Sequence, residues 1–475
     1  MIMPTVMKFG GTSVGDARAF ENVAQIVAAR THLEPVVVVS AMSGVTDALL
    51  ASTMIAAENG EPAALSSLEP IFNRHKETAV ELLSSSAAYA TQIDEAKKQL
   101  AGYLALITSQ AAQLRALQDV VLAFGEALSS LLLAEVLNER GMSALAIDAR
   151  TCIITDDEFG CAAPLMEETV AATRSVLLPF LETGSVPVMG GFVASNKKNQ
   201  TTTLGRGGSD YTAAIVGAAL NAREIQIWTD VTGVLTADPR VVPRAQTVER
   251  LSYAEAAELA YFGAKVLHPK TIQPAIEDCI PVRICNSRAP SEGGTLVCAQ
   301  TDTTPRTVKA IAHKKGVTTV QITSARMLGA YGFLRALFEV FEKHRTVVDV
   351  VTTSEVSVSL SLDDASSLPL IVSELEKLGT VRIEEGRAII CVVGEGLRGT
   401  PGIAARVFST IRDINVTLIS QGASSINFTF AIEEDRVNEA VNRLHEAFFE
   451  EKERSSADYA DSADFCAKEA LAQGL

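Results

Sequence analysis

The chain lacks an excess of positive charge: 57 acidic residues oppose 41 basic ones, a formal net charge of −16. General nucleic-acid binding needs a basic surface, so no nucleic-acid partner is expected, although local cations can still hold an anionic nucleotide. No apolar run reaches the length of a bilayer span. Val36–Val39 is far too short and reads as a buried strand, so no membrane partner is expected. The N-terminus has no basic stretch leading into an apolar segment, and a signal peptide is not expected. The seven cysteines (152, 161, 279, 285, 298, 391 and 466) are scattered and odd in number. They point to reduced thiols in a cytoplasmic protein and away from a disulfide framework. No His/Cys cluster suggests structural zinc.

Two glycine-rich clusters are present instead. Lys8-Phe9-Gly10-Gly11-Thr12-Ser13 follows an apolar run, and Leu204-Gly205-Arg206-Gly207-Gly208-Ser209-Asp210 opens a helix much later. Neither is a GxxxxGK[ST] loop or a GxGxxG dinucleotide fingerprint. Each can still set backbone N–H groups and a cation against phosphate oxygens. Together they suggest a site for a phosphorylated nucleotide.

A chain of 475 residues has room for two or three domains. Up to about residue 300, short apolar strands alternate with helical patterns. Strands are expected at 6–9, 35–40, 143–147, 186–190, 225–229 and 281–285. Helices are expected at 17–30, 164–183, 209–221, 252–262 and 269–277. A helical excursion fills 47–140, its last helix opening at Phe124-Gly125-Glu126. The result is an α/β domain, 1–300, with a mostly parallel sheet. Beyond it the chain repeats: Gly332–Leu362 aligns without a gap to Gly402–Ile432. Each copy reads βαββα, which predicts a small sheet with helices on one face. The copies give two α+β domains at 301–386 and 387–450. The Ser/Ala/Asp-rich segment 451–475 is expected to be a mobile tail.

Residue chemistry leaves several positions with two readings. Lys8 is either a fixed cation for phosphoryl oxygens or a solvent-facing lysine beside a glycine turn. Thr12 and Ser13 add donors or cap the next helix. Arg206 can fork a substrate carboxylate, while Asp210 faces a cation or caps its helix. Glu126, placed in a first helical turn, has a local electrostatic reason to be there, or can bind a substrate ammonium. Thr46, Thr229, Asp230 and Arg240 sit near strand ends where a nucleotide or substrate could touch them. Asp238 before Pro239 can simply shape a turn. Lys265 is another candidate cation. His268 has no nucleophile or metal-ligand partner in sequence, so histidine-centred acid–base chemistry is unsupported.

Taken in order, these stretches resemble aspartokinases. The match runs through Lys8–Ser13, Phe124–Glu126, Gly205–Asp210, Trp228-Thr229-Asp230, Asp238-Pro239-Arg240 and Phe262–Pro269. It covers roughly residues 3–450. The resemblance implies a three-layer amino-acid-kinase domain followed by two ACT-type regulatory domains. It implies ATP and L-aspartate as substrates, Mg2+ with the nucleotide, and 4-phospho-L-aspartate as product. By resemblance, Lys8, Gly10, Gly11, Thr12, Ser13, Thr229, Asp230, Arg240 and Lys265 belong to the nucleotide side. Thr46, Glu126, Arg206 and Asp210 belong to the aspartate side. Lys8 and Asp210 are the catalytic pair, and no metal ligand is assigned. Many relatives carry Tyr where this chain has Leu235.

The C-terminal stretches Met327–Leu334 and Val348–Glu355 resemble lysine-sensitive bacterial and plant forms. That resemblance implies a lysine effector near Met327, Gly332, Phe333, Leu334, Asp349, Ser354 and Glu355, and a homodimer through the regulatory domains. Ala330 stands where some lysine-sensitive relatives have serine. Competing readings are another acyl-phosphate-forming kinase, such as a glutamate kinase, or an inactive amino-acid-binding regulator.

Overall fold

The computed structural model describes residues 3–109, 113–263, 267, 269–299 and 307–450. Lys265, His268 and the expected tail at 451–475 lie outside the described residues. The chain forms two compact units. Leu235–Gln246 and Phe262 group with the residues after 306, so the second unit takes in a segment from within the expected 1–300 domain.

The first unit is built on an eight-stranded sheet. Its order is Ala144–Ile147, Val186–Gly190, Pro35–Val39, Thr5–Phe9, Glu224–Thr229, Val282–Asn286, Thr295–Cys298 and Arg250–Ser252. Neighbours are parallel except Val282–Asn286 with Thr295–Cys298. Val36, Val37, Val38 and Val39 are all fully buried, as unbroken β-branched runs are in a sheet covered on both faces. All six expected strands and the helices between and after them form close to their expected bounds. The sequence did not reveal a three-stranded sheet of Ile154–Thr155, Val193–Asn196 and Thr201–Thr203, whose members are too short to show a period.

One expectation is corrected. Phe124-Gly125-Glu126 does not open a helix; it lies in the middle of Leu114–Glu139, a 26-residue helix. That helix is long and apolar enough to cross a membrane by length and composition, but 72% of its apolar window is buried inside the fold. A helix apolar nearly all round belongs in a core, and this one packs with Val37, Val39, Met42 and Val45 in a single cluster. The six described cysteines carry free thiols.

The second unit carries a six-stranded sheet in the order Val351–Thr353, Ser357–Leu362, Ala310–Thr323, Thr380–Val393, Asn427–Glu433 and Val416–Gln421. All its pairings are antiparallel. The two repeats do not build separate small sheets. Ala310–Thr323 and Thr380–Val393 pair along their length and join the copies. One copy packs Phe333–Lys343 and Leu368–Leu375 over Val320, Ile322 and Leu360. The other packs Ile403–Thr410 and Val437–His445 over Val392, Phe428 and Phe430. The 235–246 segment joins the second core through Ala237 and Val242. Thr236 Oγ1 lies 2.9 Å from Nε2 of buried His445, and Asn442 Nδ2 donates to Val241 O at 3.0 Å.

Candidate active site

Parallel pairing brings strand ends together. Phe9 registers with Val39 and Trp228, Val39 with Gly190, and Thr229 with Asn286. The carboxyl ends of five strands therefore share one edge, the usual ligand edge of an open α/β sheet. Gly10, Ser40, Gly191, Asp230 and Ser287 follow them directly.

Backbone demands explain the glycines. Gly10 N–H donates to Trp228 O at 3.1 Å, binding the first turn to the neighbouring strand. A Cβ on Gly11 would sit 3.0 Å from Ala41 O. Ser13 is buried and its hydroxyl lies 2.8 Å from that of Ser287, so it ties two strand-end loops together. It does not cap the following helix. Asp16 does, accepting from Ala19 N at 2.8 Å. Thr12 remains exposed. Beneath the edge, Trp228 stacks on Phe9 and lies under Arg30.

Lys8 sits one residue before the end of a buried strand, and its Nζ lies 2.7 Å from Asp210 Oδ1. Asp210 belongs to the first turn of Gly208–Leu220, a helix capped by left-handed Gly207. Ser209 and Asp210 are thus inside the helix and are not its cap. The helix approaches closely because Gly191 faces Ser209: a Cβ there would fall 2.6 Å from Ser209 Cβ. Phe192 N–H donates to Thr212 Oγ1 at 2.9 Å, and Phe192 itself takes a left-handed backbone, φ 67°. Strain of this kind in a non-glycine residue concentrates at functional sites.

Glu126 is wholly enclosed, with 3% of its surface exposed. It packs where Gly190 leaves room; a Cβ on Gly190 would be 2.8 Å from Glu126 Cβ. Burial pushes its carboxyl up to about 8, opposed by a backbone hydrogen bond from Ala41 and by the nearby Lys8 charge. Thr46 lies in the first turn of Val45–Asn59 after left-handed Gly44, and is half-buried. Arg206 is exposed between two left-handed glycines, Gly205 and Gly207. Thr229 donates to Asp230 Oδ1 at 3.2 Å, at the end of a central strand. A cavity of about 450 Å³ flanks the Glu126 helix, lined by Tyr103, Phe124, Asp148 and Arg150 among others. Lys8, Arg206 and Asp210 do not line it.

Lys8, Gly10, Gly11, Ser13, Glu126, Asp210, Thr229 and Asp230 therefore belong to one sheet edge. Arg240 belongs to the second unit, where it is exposed and forks the carboxylate of Asp238, its Nη2 lying 2.7 Å from Oδ2. Sequence reading missed Gly190 and Gly191, though a glycine pair closing an apolar strand is the same signal as Gly10-Gly11. It also missed Phe192 and Ser287, which carry no local signature.

In the second unit, Gly332 takes a left-handed conformation and caps Phe333–Lys343. Met327 and Phe333 are half-buried, and Leu334 is exposed. Asp349 is almost wholly buried with Lys314 Nζ 3.8 Å away, and Lys314 also pairs with Asp363. Ser354 and Glu355 lie in the exposed turn between Val351–Thr353 and Ser357–Leu362.

Residues 3–286 match the amino acid kinase family, and residues 390–448 match an ACT domain. The chain is 39% identical over 456 residues to lysine-sensitive aspartokinase 3 of Escherichia coli, covering 94% of this chain and 99% of that one. It is 40% identical to chloroplastic aspartokinase 3 of Arabidopsis thaliana over 94% of this chain and 81% of the relative. Among solved structures, E. coli aspartokinase III in complex with aspartate and ADP matches with a TM-score of 0.78 at 38% identity, over 94% of this chain and 100% of that one. The same enzyme in complex with lysine and aspartate matches with a TM-score of 0.80, at the same identity and coverage. With the ordered motifs, the strand-edge site and the C-terminal module all matched along one chain, this protein belongs to the amino acid kinase family and, within it, to the aspartokinases.

Proposed function

We propose that the protein transfers the ATP γ-phosphoryl group to the side-chain carboxylate of L-aspartate, giving 4-phospho-L-aspartate and ADP. The observation that carries this reading is the Lys8–Asp210 pair at the carboxyl edge of the sheet, where the Gly208–Leu220 helix also begins. An ammonium and a helix N-terminus at one sheet edge suit a phosphoryl group in transfer. The nucleophile is a carboxylate, ionised at neutral pH, so no strong general base is needed. The work left to the protein is alignment, charge neutralisation and exclusion of water.

In this reading Lys8 stabilises the transferring charge, and Lys265 is assigned to the nucleotide side by resemblance alone. Gly10, Gly11, Thr12 and Ser13 give backbone access to phosphate, and Thr229 and Asp230 serve the nucleotide. Arg206 receives a substrate carboxylate, Glu126 and Asp210 the ammonium end, and Thr46 donates a hydrogen bond. The donor set fits a magnesium ion carried by the nucleotide: Asp230 is an exposed carboxylate at a strand end, and phosphate oxygens would supply other ligands. Bound there, Mg2+ would neutralise phosphate charge.

The first repeat is read as a second ACT-type domain, from its gapless alignment and its equivalent element order. Exposed Leu328, Tyr331, Leu334, Phe338 and Val347 support pairing of these modules in a homodimer. Lysine is the proposed effector, with Glu355 and Ser354 at the exposed turn; Asp349 joins them if Lys314 turns fully to Asp363. A cytoplasmic location goes with this reading.

The discriminating assay traps the acyl phosphate with hydroxylamine, offering aspartate, glutamate and N-acetylglutamate separately with MgATP. Aspartate should be strongly preferred. Preference for either glutamate substrate would overturn the assignment, and no product with any of them would favour a binding-only protein.

A further inference from the structure

Asp119 lies outside every motif discussed so far, yet its carboxylate is buried, with 1% of the residue exposed. Oδ2 accepts from Gly160 N–H at 2.8 Å and Thr203 N–H at 3.0 Å, and Oδ1 accepts from the Thr203 hydroxyl at 2.8 Å. All three partners are donors, which suits an ionised carboxylate. Burial raises the carboxyl above its ordinary range, and these three hydrogen bonds pull it back down. A charge held this way inside a core has little freedom to move.

What it holds is the turn that carries Arg206. Thr203 ends its strand, and only Leu204, Gly205, Arg206 and Gly207 separate it from the helix at Gly208. The other tethered residue packs on the same turn: a Cβ on Gly205 would lie 3.3 Å from Gly160 O. Ala162 N–H also donates to Thr203 O at 2.9 Å. Asp119 and Glu126 are seven residues apart on Leu114–Glu139. That is two turns, so they share a face and stand about 10 Å apart along the axis.

We propose that Asp119 is a positioning residue for the aspartate end of the site. Through Thr203 and Gly160 it fastens the Arg206 turn to the helix that carries Glu126. It thereby sets the spacing between the group that receives the substrate carboxylate and the group that receives its ammonium. The proposal rests on the role given above to Arg206.

The test compares Asp119→Asn, Thr203→Val, Thr203→Ser and Arg206→Ala in the full chain. Initial rates are measured against aspartate at saturating MgATP and against ATP at saturating aspartate, alongside melting temperatures. Asp119→Asn should raise KM for aspartate about tenfold or more and leave KM for ATP within about twofold. Thr203→Val, which loses only the hydroxyl donor, should move aspartate KM the same way by less. Thr203→Ser, which keeps it, should behave as the parent. Arg206→Ala should raise aspartate KM on its own account.

An aspartate effect from Arg206→Ala with none from a folded Asp119→Asn would overturn the positioning role and leave the Arg206 reading standing. An unchanged aspartate KM in Arg206→Ala would remove the foundation instead. Equal rises in both KM values with a lower melting temperature would mark Asp119 as a structural anchor only. Should Asp119→Asn fail to fold, unchanged kinetics in Thr203→Val would reject the proposal.

Discussion

Lys8 Nζ stands 2.7 Å from Asp210 Oδ1, joining the end of a central strand to the first turn of the helix that faces it. Only 11% and 19% of the two side chains are exposed, so the pair is sheltered from screening by solvent. The carboxylate keeps the ammonium aimed along the sheet edge. In the proposed reading, a phosphoryl group arriving there would meet a cation already oriented, with no reorganisation required of it at the moment of transfer.

Removing that cation should therefore strike turnover. Lys8→Ala is expected to lower kcat by about 10²–10³, the scale seen when one preorganised donor to a developing charge is deleted. Circular dichroism should remain that of the parent, because Lys8 sits at the mouth of the core. Near-normal kcat in the folded variant would reject the role.

Much of the catalytic unit was legible because its signals are local. Four successive β-branched valines in a short run favour a covered strand, and Lys8–Ser13 and Gly205–Asp210 announce close backbone approaches by composition. What was hidden depends on tertiary placement. Glu126 read as a first-turn residue because the glycine before it resembles a helix break. In the fold that glycine is a contact surface: a Cβ on Gly125 would fall 2.9 Å from Ala41 Cβ. Asp119 gave no sign, since its donors come from residues 41 and 84 positions away. Arg240 fell in with the nucleotide motifs by order along the chain, but its segment folds with the second unit. The repeat was legible as a gapless alignment, while the sharing of one sheet was not, because strand pairing is non-local.

Glu126 should show itself in the pH dependence of stability. Its carboxyl is raised from the ordinary 4.5 to about 8, so between those values the native state holds a proton that the unfolded chain releases. Stability from this group is then lost as pH rises through that window. Glu126→Gln removes the effect. Its melting temperature relative to the parent should climb from pH 5 to pH 8.5, measured by differential scanning fluorimetry. A difference that stays flat with pH would contradict a buried, proton-holding carboxyl.

Gly190 tests whether close packing sets the Glu126 position. A Cβ there would lie 2.8 Å from Glu126 Cβ and 3.1 Å from its carbonyl carbon, and neither atom is the far end of a flexible side chain. Gly190→Ala should cost about 1–3 kcal/mol by overpacking and reduce kcat/KM for aspartate severalfold. Gly102→Ala is the control: it lies in the Ala87–Ser109 helix with nothing within 4 Å of its Cβ position. Alanine there should stabilise by up to about 1 kcal/mol through helix propensity. Equal effects at the two positions would dismiss the packing argument.

The regulatory reading turns on Glu355. Asp349 already has Lys314 within 3.8 Å, whereas Glu355 stands exposed in the turn between Val351–Thr353 and Ser357–Leu362. In the proposed reading an effector ammonium would meet Glu355 at less cost, with no internal pair to break among the described residues. A charge-assisted hydrogen bond contributes about 1.5–3 kcal/mol, so Glu355→Ala should weaken lysine binding roughly ten- to a hundredfold. Calorimetric titration with lysine, threonine and methionine measures this directly, and kinase assays should show lysine lowering the rate of the parent. Inhibition requires that lysine bind the less active state more tightly, so aspartate or ATP should in turn weaken lysine binding. Lysine heats that are unchanged in a folded Glu355→Ala variant, or absent from the parent, would remove Glu355 from the effector site while leaving the kinase chemistry untouched.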